Sequence, residues 1–333
     1  MAYKKIDNYF SFADIAIQKM LIKFYAIGKS KEGERAYSPL LLFKCMLLQK
    51  WFQIKSDPEL ESQINDRISF KSFLDMPLDY SSPDHSTFSR FRKRLSKKAM
   101  VQINSVLLKQ FYQLGISINK GVAVDARLVK SASKPISKKK IKILKEKHDT
   151  PEGWLDKNGN LKKFTRDIVS DWTFKNDEYH YGLKEHAAVD TDNGFILSTT
   201  LSPSSHHDSK YLPYAVIYSM HTKDKIQTVY AGAPNRGFLA LNNIRDGIMR
   251  KDNINAKLTD IEITRNKAIS KYRYIVEQYF GISHKHDKGY GARFPQIMKN
   301  TIDVMFRQFA FNLRKGAKIL GVLPVRPLNN TFI

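Results

Sequence analysis

Only one cysteine, Cys45, occurs among the 333 residues. That excludes an intrachain disulfide framework and a cysteine-based zinc finger. Cys45 lies in the apolar stretch Leu40-Leu41-Leu42-Phe43-Lys44-Cys45-Met46-Leu47-Leu48 and reads as a packing residue. No run approaches 18 uninterrupted apolar residues, and Met1-Ala2-Tyr3-Lys4-Lys5 is not followed by an apolar secretory segment. A membrane span is therefore not expected, and the cytosol is the expected location. Acidic residues are the other shortage: 32 Asp and Glu against 56 Lys and Arg give a formal charge of +24. A surplus of that size points to a polyanionic partner, foremost nucleic acid. A very soluble or ribosome-like basic protein would show the same imbalance. The length suits one large domain or two ordinary ones.

Residues 1–112 read as helices. Ser38-Pro39 sets a capping serine before a proline at the first helical position. From there to Ile54, residues Leu41, Leu42, Cys45, Leu48, Trp51 and Phe52 recur at three- and four-residue spacings, one broad apolar face. Asp57-Pro58-Glu59-Leu60 opens a second helix. Ser82-Pro83-Asp84-His85-Ser86-Thr87 is a loop with a cap. The helix it opens has Phe88, Phe91 and Leu95 on one side and Arg90, Arg92, Lys93 and Arg94 elsewhere. Short helices ending in a basic one suit a helix-turn-helix laid on DNA. A solvated basic face on a helical bundle fits the same pattern.

From Gly115 the pattern changes. Residues 116–124 are strand-like and end at Asp125. Residues 130–147 hold eight lysines, Lys138, Lys139 and Lys140 among them, against the single acid Glu146. Such a segment suits phosphate contact, a linker, or both. His186-Ala187-Ala188-Val189-Asp190, a turn at Asp192-Asn193-Gly194, and the β-rich run after it predict a hairpin. A helix over 208–220, a strand over 226–230 and a helix over 238–249 follow. Helical spacing returns in Ile269, Tyr272, Arg273, Val276 and Phe280, and again over 297–313. That order predicts a mixed sheet flanked by helices.

Two acids stand out. Asp125 ends a buried apolar run, and Glu277 lies on a late helix, so the sheet separates them in sequence. Two divalent ions about 4 Å apart can activate the attacking oxygen and stabilise the leaving one at a phosphodiester. Magnesium prefers oxygen ligands and keeps several waters, so a few carboxylates suffice. They must converge from distant positions, because neighbours on a strand point to opposite faces. Arg273 lies one turn before Glu277 on the same helix face, placed to pair with it or with a phosphate. His206-His207-Asp208 makes a poor metal set, because its ligands are adjacent rather than spaced, and Asp208 reads as a helix cap. His284 and His286 bracket Lys285 in a basic loop suited to phosphate contact. The 20 Phe and 16 Tyr fall mostly at core spacings and do not predict a base-stacking platform.

Several segments, in order, resemble bacterial insertion-sequence transposases of the DDE class, in the branch founded on insertion sequence five. They are Pro83-Asp84-His85-Ser86-Thr87 with Arg90-Phe91-Arg92; Val124-Asp125-Ala126; Tyr181-Gly182-Leu183-Lys184-Glu185-His186 leading to Val189-Asp190; and His207-Asp208-Ser209. Arg265-Asn266, Arg273-Tyr274-Ile275-Val276-Glu277-Gln278 with Phe280-Gly281, and Ala310-Phe311-Asn312-Leu313 complete the set. The resemblance runs from about Ser38 to Leu320. It implies an RNase H-like catalytic domain behind a helical DNA-binding region. It also implies Mg2+ (or Mn2+) as cofactor, with Asp125 and Glu277 as metal ligands and Arg273 as the signature arginine. Ser270 stands where that signature has tyrosine, and its lysine position falls on His284, with Lys285 one residue late.

The family's second aspartate belongs to a Tyr-Ala-Asp-x-Gly-Tyr pattern. Here Tyr230-Ala231 runs directly into Gly232-Ala233-Pro234-Asn235-Arg236, which reads as a short deletion; Asp208 and Asp190 are candidate substitutes. The expected architecture is α/β. A helical DNA-binding region spans 1–112, an RNase H-like sheet domain spans 113–315 with a basic loop at 130–175, and a tail spans 316–333. Double-stranded DNA, at element ends and target, is the expected partner. Arg90, Arg92, Lys93, Arg94, Lys138, Lys139, Lys140 and Lys285 are the expected contacts. A homo-oligomer on DNA at the bacterial nucleoid is implied by the resemblance. The expected activity is strand cleavage and transfer weakened by the missing aspartate; a DNA-binding remnant or repressor is the alternative.

Overall fold

The structure, a computed structural model, describes residues 17–23, 25, 36–118, 120–135, 137–139, 142, 167, 169–221, 226–232, 235–252, 256–286, 291–295 and 297–321. The front of the chain is helical: α1 (Pro39–Trp51), α2 (Asp57–Asp66), α3 (Ile68–Phe73), α4 (His85–Arg94) and α5 (Lys97–Gln113). Three of these helices start on a side-chain cap. Ser56 accepts from the Glu59 amide, Asp84 from Ser86, and Ser96 from Ala99. Each bond satisfies a donor that a helix start leaves free. Ser38 precedes α1 as expected, but its hydroxyl makes no cap bond, and Pro39 marks that start.

β1 (Gly121–Lys130) is the centre of the sheet. β3 (Glu178–Asp190) runs antiparallel on one edge of β1, and β4 (Ile196–Pro203) runs antiparallel to β3. β5 (Thr228–Ala231) lies parallel on the other edge, with β6 (Arg245–Ile248) parallel beyond it. β2 (Asp171–Lys175) pairs with the outer part of β3. This is the expected mixed sheet, and its β3–β4 hairpin turns at Gly194, where φ is +72°.

The structure corrects several expected boundaries. β1 does not stop at Asp125; it continues to Lys130 because β3 pairs with it throughout. Residues 245–248, expected as helix, form β6. The helix before them, α7 (Arg236–Leu241), ends at Asn242 and Asn243. Asn243 takes a φ of +53°, a left-handed turn that asparagine tolerates. Residues 171–175, expected within the basic loop, form β2. The expected helix over 208–220 is a 3-10 turn (Asp208–Lys210) followed by α6 (Leu212–Ile217).

Two long helices complete the molecule, α8 (Asp260–His286) and α9 (Ile297–Ile319). Val122 and Val124 point into a large core that also holds Phe43 of α1, Leu108 of α5 and Phe306 of α9. Ala123, on the opposite parity, packs with Ala187, Val189, Val276 and Tyr279 beneath α8. Helices α9, α5 and α1 are joined by interior contacts. Phe43 meets Phe306 and Phe309 at ring separations of 5.0 and 5.2 Å, and Trp51 Nε1 donates to the Ala310 carbonyl. Asn312 accepts from the Ile196 amide at 2.8 Å and donates to Asn104 of α5 at 3.0 Å. A Cβ at Gly316 would lie 2.0 Å from the Phe111 ring, so α9 approaches α5 too closely for a larger residue.

Candidate active site beneath the long helix

Strand alternation sets which β1 side chains face α8. Asp125 lies two residues from Ala123 and pairs across the sheet with Ala187, and both of those pack under α8. The β5 ladder ends beside it, since the last parallel pair is Val124–Ala231. Asp125 therefore lies mid-strand in β1 but at the C-terminal end of the parallel pairing, where the sheet opens. Its Oδ2 accepts from Arg273 Nη2 at 2.7 Å, and its Oδ1 accepts from the Ala126 amide at 2.8 Å. Glu277 follows Arg273 by one helical turn and is exposed.

The register of α8 against the sheet is held at both ends. Near its start, Arg265 donates to the carbonyls of Ile248 and Asp246, both at 2.8 Å, and Asn266 exchanges two bonds with Arg250. Further along, the fully buried Glu185 accepts from Arg127 Nη2 at 2.6 Å, Arg127 Nε at 3.0 Å and the Tyr279 hydroxyl at 2.6 Å. Arg127 also reaches the Phe280 carbonyl and Ser283 on α8. Burial pushes the Glu185 carboxyl upward, yet Arg127 and Arg307 outweigh it and hold the group below the usual carboxylate range. Sequence reading missed Arg127 and Tyr279 altogether, and it quoted Glu185 only as part of a motif. The one signal available was parity, because Glu185 shares a strand face with Ala187 and Val189.

Gly232 follows Ala231 by one residue and so stands next to Asp125 in register. Its neighbour at the same parity, Tyr230, stacks on Tyr272 of α8 with ring centroids 4.4 Å apart. A Cβ at Gly232 would point at the Arg273 guanidinium, 3.5 Å from its central carbon. Arg273 thus lies between the middle of β1 and the end of β5, with Nη1 near the Met249 sulfur and its buried Nε without a partner among the described residues.

A pair of hard divalent ions needs several converging oxygens. Among the described residues this end of the sheet supplies two carboxylates, and one of them is bonded to a cation. The unmatched buried atom is a donor, whereas a metal needs an acceptor. These residues do not fit a two-ion centre. Among the described residues, the side chains that come close enough in a group of three to share an ion are Glu61, Asp84 and His85, in α2 and at the start of α4. There Glu61 already accepts from the His85 amide, and Asp84 caps the helix.

The candidate substitutes face the wrong way. Asp208 accepts from Lys184 at 3.0 Å, and Lys184 has the parity opposite to Glu185 and Ala187. The Lys184 bond also replaces the expected cap, since His207 caps that turn instead. Asp190 pairs with Val122, on the large-core side, and accepts from the Asn193 amide. His206 Nδ1 lies 2.7 Å from the Tyr211 hydroxyl, in keeping with a hydrogen-bonding role.

Among the expected DNA contacts, Arg90, Lys93, Arg94, Lys138, Lys139 and Lys285 are exposed. Arg92 is not. It is 1% exposed, forks onto Asp57 at 2.8 and 3.1 Å, and lies over the Phe294 ring, so it serves the interior. Lys140 lies outside the described residues.

Residues 119–288 match the family described as Transposase DDE domain, and residues 2–94 match Transposase domain (DUF772). The chain belongs to the DDE transposase family. A curated relative, the transposase for insertion sequence element IS1106 of Neisseria meningitidis serogroup B, is 29% identical over 245 residues. That match covers 70% of this chain and 79% of the relative. By this membership the chain is a transposase, of an enzyme family that acts on DNA and generally works with divalent metal ions. No helix among the described residues is long and apolar enough to cross a membrane.

Proposed function

We propose that this chain recognises the terminal inverted repeats of an insertion sequence of the insertion-sequence-five branch. We further propose that its Mg2+-dependent strand cleavage and transfer are impaired at the Asp125–Glu277 site by loss of the second catalytic aspartate near Gly232. The observation that carries this reading is the convergence of Asp125, Arg273 and the Glu277-bearing helix face at the end of β5. The exposed cations of α4 and the +24 charge support contact with double-stranded DNA. If several kcal/mol of transition-state stabilisation are forfeited, cleavage falls roughly a thousandfold or more. A homo-oligomer on the element ends, at the nucleoid, belongs to the same reading.

The test combines an electrophoretic shift on the element's own ends at moderate salt with nicking of the same ends in Mg2+ or Mn2+. A preference for the ends over random DNA with weak nicking is expected. Efficient strand transfer abolished by Asp125→Ala would contradict the impairment. Absence of any end preference would remove the recognition. The Arg273–Asp125 bond favours a second reading, a non-cleaving occupant of element ends. Lowered transposition of an active relative when the two are co-expressed distinguishes it.

A further inference from the structure

We infer that the Arg273 guanidinium is the built-in counter-ion of Asp125 and takes the place where a divalent pair would sit. We infer also that one residue, Gly232, decides between the two arrangements. This deepens the proposed function and rests on Asp125 belonging to the site.

Four independent observations converge. Arg273 Nη2 is 2.7 Å from Asp125 Oδ2, so the acid already has its cation. The parallel pairing ends at Val124–Ala231, so Asp125 and Gly232 are the residues next after the last pair, and the Tyr230–Tyr272 stack shows that this parity of β5 faces α8. A Cβ at Gly232 would meet Arg273 atoms at 3.5, 3.5 and 3.7 Å, ordinary contact distances, so a side chain there fits and points at the guanidinium. Among the described residues the buried Arg273 Nε has no acceptor, an uncommon and costly state for such an atom.

The arrangement is consistent as charge chemistry. Asp125 is the carboxylate that the sheet itself supplies here, the Arg273 guanidinium balances it, and a 2+ ion would add charge beside Arg273. A second carboxylate at 232 would give Arg273 an acceptor and leave Asp125 oxygens free for a metal. The same arginine would then act as a positioning residue that holds the two acids, whereas here it occupies their space. Arg265, Asn266 and the Glu185 network pin α8 on either side, which fixes the helix backbone that carries Arg273 against the sheet.

The experiment counts bound Mn2+ by electron paramagnetic resonance on the full chain, without DNA. Wild type, Asp125→Asn, Arg273→Gln, Gly232→Asp, Gly232→Asn and the Gly232→Asp/Asp125→Asn double variant are compared. Wild type and Asp125→Asn should bind Mn2+ alike. Gly232→Asp should bind it at least ~10-fold more tightly, since even outer partners of a metal ligand are worth that much. The double variant should lose the gain, Gly232→Asn should not show it, and Arg273→Gln should show a smaller one. Mn2+ binding by wild type that Asp125→Asn removes would overturn the inference. So would a folded Gly232→Asp chain with no gain, folding being checked by circular dichroism. If that variant does not fold, the wild-type and Arg273→Gln comparisons with Asp125→Asn still decide. The metal-free DNA shift on the same wild-type protein separates the two ideas. Loss of end preference would sink the proposed function and leave the Mn2+ result standing.

Discussion

Two carboxylate–guanidinium pairs lie under α8 on the same face of the sheet, and they differ in how completely they are matched. Glu185 is fully buried and accepts from Arg127, Arg307 and Tyr279, so both its oxygens are used. Asp125 is partly open, its Oδ2 holds Arg273 while its Oδ1 takes only the adjoining Ala126 amide, and that arginine keeps a nitrogen unmatched among the described residues. The closed network fixes a helix in place. The open pair lies where β5 ends, within reach of solvent. Position in the sheet accounts for the difference: β3 and β1 continue past Glu185, whereas β5 stops at Ala231 and uncovers Asp125.

The contrast can be broken most directly at Glu185. Glu185→Ala strands two buried guanidinium groups and should cost about 3–5 kcal/mol in urea unfolding; a loss below about 1 kcal/mol would erase the distinction. Acid titration of stability follows. Burial holds the His221 imidazole at about 4, against about 6.5 for a free histidine. Below that free value the unfolded chain takes up a proton that the folded chain refuses. Through His221 alone stability should therefore fall by on the order of 3 kcal/mol as pH drops from about 6.5 to about 4, and His221→Gln should remove that share while His186, which burial also holds at about 4, keeps its own. Glu185 acts in a separate window. Its folded pKa lies below the unfolded one, so its contribution is intact above about 4.3 and is lost only on further acidification.

Tyr279→Phe removes one hydrogen bond to a buried carboxylate and should cost about 1.5–3 kcal/mol, read by the same unfolding curves. At the open pair the effects should be smallest. Asp125→Ala should cost about 1 kcal/mol or less, because water reaches the remaining guanidinium. Glu277→Ala, at an exposed position, should stay within about 0.5 kcal/mol while still altering any metal- or DNA-dependent readout. A large stability loss at Asp125 would mean that this pair, too, is architectural.

Much of this was legible from the residues. Ser38 and Asp208, expected as caps, make no cap bond, whereas the Asn193-Gly194 turn and the Asp84 cap follow from local chemistry. So, in retrospect, does the burial of Arg92. With Phe88, Phe91 and Leu95 it completes the i, i+3, i+4, i+7 stripe of α4, and charge alone drew it to the outside. β6 was illegible because four residues with one large apolar side chain, Ile248, carry no strand signal without β5 beside them. The Glu185 network was hidden by distance along the chain: its partners lie 58, 94 and 122 residues away. The occupancy of the Gly232 space by Arg273 is likewise a product of tertiary register.

The joint between α1, α5 and α9 limits how this gene can be cut short. A premature stop before residue 297 would strip Phe306 and Phe309 from Phe43, and Asn312 from Asn104, leaving the front helices with a raw apolar flank. Such a fragment would clump or be degraded before it could compete for DNA. On the second reading proposed above, a brake on mobility would need the whole polypeptide.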